Sequence, residues 1–191
     1  MVSRQQGINK ARKKVTRAFK IDDNLDRTIA GQAEKTGITP SSLVSQILRR
    51  YVEWGQFTGV GTNFVTIDKE VFAAFLDELS EDRIVEIARS SALVSTHNFL
   101  KFRYQRINFD TIRDFLGSLS AHSNVGEVRI MEDEDTEHSG RYEINARHSL
   151  GMKWSIFLSE YISGILSSFL EMQTTTEELS PLGCSVIAVR A

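Results

Sequence analysis

The chain has 191 residues, of which 41% are hydrophobic and 25% are charged, with 2 prolines, 1 cysteine and a formal net charge of −2. This is the composition of a globular protein, and it excludes a disulfide framework and a long proline-rich linker. Since no run of about 18 apolar residues occurs, it also excludes a membrane span, and we expect a cytoplasmic protein.

The small net charge conceals an uneven distribution along the chain. Residues 1–54 contain 11 Lys and Arg against 5 Asp and Glu, whereas the remainder contains 12 against 20. Residues 1–13 have no apolar period, and we interpret them as a flexible basic arm that carries Lys10, Arg12 and Lys13. Such an arm favours a polyanionic partner, and the alternative is a solvated tail that binds nothing.

Residues 14–54 are predicted to form a strand and two helices. The segment 15–21 alternates loosely between apolar and polar residues, as a short strand does. Asp22 or Asp23 can cap the first helix, because a carboxylate accepts hydrogen bonds from the free N–H groups of a first turn. Gly37 is typical of the residue just after a helix, where the backbone becomes left-handed.

The second predicted helix begins at Thr39 and Pro40, a capping residue followed by a proline at the first helical position. Apolar residues between positions 43 and 52 recur at helical spacing and form one face. Glycines then mark the segment 55–63 as a linker.

The remaining residues, 64–191, predict an α+β domain for regulation or oligomerisation. The expected order of its elements is α-α-α-β-β-α-β, with a polar, acidic loop between the first two strands. Its most regular helix runs from 150 to 169, and residues 184–189 form an apolar terminal strand.

The long helix carries two stripes of interest. Serines recur every four residues from Ser155 to Ser167, and small side chains permit close packing against a neighbour. Trp154, Phe157 and Tyr161 lie on an adjoining stripe. We interpret these three as one side of an amphipathic helix packed on a sheet; the alternative is a second dimer contact or the wall of an effector pocket.

No sequence pattern predicts catalysis or metal binding. The four histidines have no His-x-His or i,i+4 partner, and the phosphate-binding and hydrolase motifs are missing from the sequence. Cys184 lies in an apolar segment, which is typical of a core residue. We therefore expect neither an enzyme nor a cofactor or metal ion.

The segment 14–54 is too short to bury a core alone, since chains of about 40 residues usually need a partner. A lone strand also leaves both of its edges open. Pairing with a second copy enlarges the core and covers one edge of the strand, so the segment predicts a homodimer with a two-stranded ribbon. Such a ribbon fits the major groove of double-stranded DNA.

The segment 14–54 resembles the ribbon-helix-helix family of transcriptional repressors, the methionine-repressor and Arc group. The resemblance rests on the order of a basic strand (14–21), a cap, a Gly turn and a second cap (34–44), and on the ending Leu-Arg-Arg-Tyr-Val at 48–52. It implies an N-terminal ribbon-helix-helix fold, β-α-α, in an intertwined dimer that binds DNA.

The resemblance also implies which residues contact DNA. Alternate strand residues would read base edges, which assigns this role to Thr16, Ala18 and Lys20. Arg17 and Lys14 are further possible DNA contacts. The N-terminus of the second helix would hold a phosphate, and the residues of this predicted clamp are Thr39, Ser41 and Ser42.

The sequence therefore predicts a nucleoid-associated, sequence-specific transcriptional regulator, with repression favoured over activation. The C-terminal domain would assemble dimers further or sense a small-molecule effector, which the residues do not identify. Two alternatives from other classes stay open: the antitoxin of a toxin–antitoxin pair, and a DNA-architectural or partition protein.

Overall fold

The computed structural model describes residues 15–55, 67–104, 106–122, 126–132 and 140–190. Four residues predicted to contact DNA lie outside these ranges: Lys10, Arg12, Lys13 and Lys14. Most of the predicted linker, 55–63, also lies outside them. The chain divides into two compact units, Met1–Ile47 and Leu48–Ala191.

The first unit contains helix α1, Asp23–Thr36, and the first part of helix α2, Pro40–Glu53. The Asp22 carboxylate caps α1 by accepting the Leu25 N–H at 2.8 Å. Gly37 ends α1 in the left-handed region with φ 69°, a conformation that glycine adopts without steric cost. Both boundaries thus lie where the sequence chemistry indicates.

The predicted N-terminal strand is wrong. Residues 15–22 form no strand and are all exposed, so the described residues before α1 do not supply the strand of a β-α-α unit. The physical reason is that a strand exists only through hydrogen bonds to a neighbouring strand, and the described part of the chain provides none here. The alternating pattern that predicts the strand places Val15 and Phe19 on its inner face. In the structure these two side chains are 65% and 62% exposed.

In its described residues, the second unit contains four further helices and a four-stranded sheet. The helices and strands, in chain order, are α3 (Lys69–Asp77), α4 (Glu81–Arg103), α5 (Phe109–His122), β1 (Glu127–Glu132), β2 (Arg141–Arg147), α6 (Met152–Leu170), β3 (Met172–Ser180) and β4 (Gly183–Arg190). The predicted order lacked β3, so the expected fold class is wrong at this end too. Only Met172 of β3 is buried, and a strand with so few buried residues gives no apolar alternation to detect.

The sheet is antiparallel, with the order β1-β2-β4-β3. Helix α6 packs on β3 and β4, α5 packs on β1, and α4 packs along α6. The core lies between these helices and one face of the sheet, where Ile144 and Val186 are fully buried. Strands β1 and β3 form the two edges.

Trp54, the residue that follows α2, belongs to this second core. Trp54 is 8% exposed, and its ring lies 5.8 Å from that of Phe99 and 6.0 Å from that of His122. The burial of one large aromatic ring is worth about 2 to 3 kcal/mol, so Trp54 contributes to the stability of the second unit.

Candidate nucleic-acid interface

The predicted base-reading residues lie in the irregular segment before α1. Thr16, Ala18 and Lys20 are exposed there, and so is Arg17. In the described part of the chain, no ion pair involves Arg17 or Lys20. Both cationic side chains are therefore available to an anionic partner.

The predicted phosphate clamp lies at the start of α2. The Thr39 hydroxyl accepts the Ser42 N–H at 3.2 Å, so Thr39 acts as the cap of this helix. Ser41 and Ser42 are exposed, and the Ser41 carbonyl accepts the Ser45 hydroxyl at 2.8 Å. The structure brings the three residues together in one turn.

The electrostatics of the two helix starts differ. The first turn of α1 carries Asp23 and Asp26 beside the Asp22 cap, and these carboxylates offset the positive end of the helix dipole. The first turn of α2 carries no acidic residue. Its positive end is left without a side-chain counter-charge, which suits it to an external anion such as a phosphate.

Apolar side chains of the first unit are exposed to an unusual degree. Among its described residues only Ala33 is buried. Large apolar residues that are at least 39% exposed are Val15, Phe19, Ile21, Leu25 and Ile47. Further along α2, Leu48, Tyr51 and Val52 are exposed in the same way. A monomer rarely exposes so many large apolar groups in so short a segment, and such exposure typically marks an interface between proteins.

The aromatic stripe of α6 lies against the core of the second unit. Trp154 is 6% exposed and stacks on Phe157, with ring centroids 4.6 Å apart. The Tyr161 hydroxyl lies 2.6 Å from the Thr96 hydroxyl of α4, and burial raises the pKa of Tyr161 to about 12. The Tyr161 contact is with helix α4, whereas the sequence interpretation places this stripe on a sheet. Sequence reasoning could not find the contact with Thr96, because the two residues are 65 positions apart.

A cavity of about 440 Å³ lies on a different flank of α6. Ser163, Gly164 and Ser167 of α6 line it, together with residues from α4 and β3. On the α4 side, the Arg89 guanidinium donates to the Glu160 carboxylate at 2.8 Å. The serine periodicity was the only sequence signal for this cavity, since its other walls come from distant parts of the chain.

The half-buried His148 and the fully buried Ser155 of the second unit belong to one chain of structural hydrogen bonds. The Leu150 N–H donates to His148 Nδ1 at 3.1 Å, and His148 Nε2 lies 2.8 Å from the Ser155 hydroxyl, which donates to the Ser180 carbonyl. Cys184 is buried, and burial raises its pKa to about 11, so it is a neutral thiol near pH 7. This chemistry suits a packed core better than a nucleophile.

Within the residues that the structure describes, no three His, Cys, Asp or Glu side chains lie close enough together to hold a metal ion. The helices in the described ranges include none that is long and apolar enough to cross a membrane. No protein-family model matches the chain, and no curated protein is significantly similar to it.

Proposed function

We propose that the chain is a homodimeric, sequence-specific regulator of transcription that binds double-stranded DNA through its first unit. The observation that carries this proposal is the exposure of large apolar side chains in a unit with one buried residue among those described. A second copy of the unit can cover them. Because Phe19 is 62% and Leu25 is 45% exposed, burial of what remains exposed of these two side chains would contribute about 1.5 to 3 kcal/mol per chain.

The charge of the first unit supports DNA as its ligand. Residues 1–54 carry an excess of six basic groups, from 11 basic and 5 acidic residues. The uncompensated start of α2 and the exposed Arg17 and Lys20 present positive potential. In the proposed complex, the exposed Lys20 and Thr16 reach base edges, while Ser41 and Ser42 hold a phosphate.

The second unit provides assembly or effector sensing in this proposal. Its acidic excess, 20 carboxylates against 12 basic groups after residue 54, makes it unsuited to contact DNA itself. Its role would then be to hold the DNA-binding units of a dimer in the arrangement that binds DNA. Binding at a promoter would favour repression of transcription.

The test is DNA binding by the full chain to its own upstream region, measured by fluorescence anisotropy across a salt series. We compare wild type with Lys20→Ala and with a matched control, Lys35→Ala, which removes an exposed cation from the end of α1. Affinity that survives competitor DNA and falls about tenfold or more only in Lys20→Ala supports the proposal, since a good base contact is worth about 1 to 3 kcal/mol.

Two other outcomes contradict it. Binding that is weak and equal on all sequences would indicate an architectural protein, whose affinity comes from phosphates alone. A chain that does not bind DNA even at low salt would exclude DNA binding by the first unit. A stoichiometric copurifying toxin would instead favour the antitoxin alternative.

A further inference from the structure

The cavity of about 440 Å³ beside α6 lies within the second unit, with α4 on one side and β3 on the other. Its volume falls in the range of about 300 to 1,000 Å³ that small-molecule sites span. At Gly164, α6 lies against Ala92 of α4, and the neighbouring Ser163 and Ser167 have short side chains. Because no long side chain of α6 fills this space, a cavity remains between α4 and β3.

The wall that β3 contributes is polar where an apolar wall is expected. Thr174 and Thr176 are the cross-strand partners of Ala188 and Val186, both of which are fully buried. Cross-strand partners point to the same face of a sheet, so both threonines lie on the face that packs against the helices. Apolar residues at these two positions would extend the core. Hydroxyl groups there instead suit a cavity with polar contents.

Several hydroxyl groups of the cavity have no partner within the described ranges of the chain. The hydroxyls of Ser163, Ser168 and Thr174 make no hydrogen bond there, and Ser163 and Thr174 are half-buried. The Ser167 hydroxyl donates to the Ser163 carbonyl at 2.8 Å, which leaves its oxygen able to accept. A hydroxyl group both donates and accepts hydrogen bonds, so a lining of this kind matches a ligand that itself carries several hydroxyls.

The charges of the cavity favour a neutral ligand over an anion. Among the described residues that line it, Arg89 is the only cation, and its guanidinium donates to the Glu160 carboxylate at 2.8 Å. An anion would have to compete with Glu160 for Arg89 and would lie close to that carboxylate. One turn further along α4, Leu93 is 51% exposed and supplies an apolar surface for the C–H groups of a ligand.

We propose that this cavity binds a neutral, polyhydroxylated small molecule of the class and size of a monosaccharide. The ligand hydroxyls exchange hydrogen bonds with Ser163 and Thr174, and its C–H groups lie on Leu93. The inference rests on the proposed function at one point only, because it makes this ligand the effector that the second unit senses. Binding of the ligand itself requires no DNA.

The experiment measures binding of three neutral probes, D-glucose, D-ribose and myo-inositol, to the full chain. Saturation-transfer difference NMR detects contacts of millimolar affinity, and titration of the signal gives the Kd. The readout does not respond to the general stabilisation that concentrated sugars give to proteins through exclusion from their surface. D-gluconate is the anionic probe, since it is close to D-glucose in size and carries a carboxylate.

The test variant is Ser163→Ala/Thr174→Val, which removes two cavity hydroxyls and retains side chains of similar size. Alanine suits a helix and valine suits a strand, so we expect the fold to be kept. The matched control, Ser90→Ala/Thr175→Val, makes the same two changes at exposed positions of α4 and of the opposite face of β3. Circular dichroism and urea unfolding verify that both variants fold.

We expect at least one neutral probe to bind with a millimolar Kd or tighter, and D-gluconate to bind more weakly than that probe. The Kd should rise about tenfold or more in the test variant alone, because two hydrogen bonds to the ligand are lost. The inference is overturned if none of the three neutral probes binds, or if D-gluconate binds more tightly than all of them. It is equally overturned if the test variant keeps the affinity of wild type, or if the control loses as much.

The failure of this inference is distinguishable from that of the proposed function. A wild-type chain that binds a neutral probe through Ser163 and Thr174 but does not bind DNA would contradict the proposed function and leave this inference standing. A chain that binds its upstream DNA and none of the neutral probes would do the reverse.

Discussion

Gly164 of α6 lies directly against Ala92 of α4: a Cβ added at position 164 would be 2.9 Å from the Ala92 Cβ. Ala92 is fully buried, so the two helices have no room to separate without disturbing the core. Glycine has a poor helix propensity, and the close packing of α6 against α4 explains why it occurs at position 164 in the middle of a helix.

Gly164→Ala should destabilise the second unit despite the better helix propensity of alanine. The gain of up to about 1 kcal/mol in propensity is outweighed by about 1 to 3 kcal/mol for overpacking, measured as the free energy of unfolding in urea. The control is Gly117→Ala in α5, where no atom lies within 4 Å of an added Cβ. Stabilisation by Gly164→Ala equal to that of Gly117→Ala would refute the close contact.

His148 should make stability depend on pH. Burial lowers the pKa of its imidazole from the ordinary value of 6.5, so the folded state disfavours the charged form. Protonation therefore favours the unfolded chain: this contribution to stability is complete above about pH 6.5 and is lost as the pH falls through the lower folded-state pKa. Thermal unfolding of wild type and His148→Gln between pH 7.5 and 5 measures the effect. The variant should lose less stability across this range, and parallel curves would contradict the assignment.

Tyr161→Phe should destabilise the fold by about 1 to 3 kcal/mol, because it leaves the Thr96 hydroxyl buried without its partner. The double variant Thr96→Val/Tyr161→Phe removes both polar groups and should recover much of this loss. The free energy of unfolding of Tyr161→Phe is the decisive measurement. If Tyr161 instead lined an effector pocket, this variant would fold with unchanged stability and show altered DNA binding.

Much of the local structure could be predicted from the sequence, because capping is a short-range effect. Asp22, Gly37 and Thr39 mark the boundaries of α1 and α2 through hydrogen bonds that span three to five residues. The sequence alone therefore also located the turn in which the predicted phosphate-binding residues lie together.

The rest depends on contacts that the sequence pattern does not contain. The N-terminal strand was predicted from an alternation in which Val15 and Phe19 would be inward, but both are exposed in the chain. Strand β3 was missed for the opposite reason, since it is an edge strand with one buried residue. The cavity beside it joins Arg89, Ser163 and Thr174, which no local spacing relates.

Substitution of Thr39 can separate a helix cap from a phosphate clamp. Thr39→Asp keeps an N-cap acceptor and adds a negative charge that suits the helix dipole, so stability should be unchanged or slightly higher. The same charge repels a phosphate, so affinity for DNA should fall about tenfold or more. Thr39→Ser is the control that keeps the hydroxyl. Unchanged affinity in Thr39→Asp would show that the residue is a cap alone.

Deletion of residues 1–13 should weaken DNA binding without changing sequence preference. The deletion removes Lys10, Arg12 and Lys13 with the rest of the basic arm. The slope of log K against log salt is negative, and it should become shallower by about 0.9 for each phosphate that the arm no longer neutralises. A chain of full length with these three residues changed to Gln controls for length. Because interactions with the DNA backbone carry no sequence information, the ratio of specific to non-specific affinity should be preserved. A fall in that ratio, matched in the Gln variant, would mean that the arm reads bases as well.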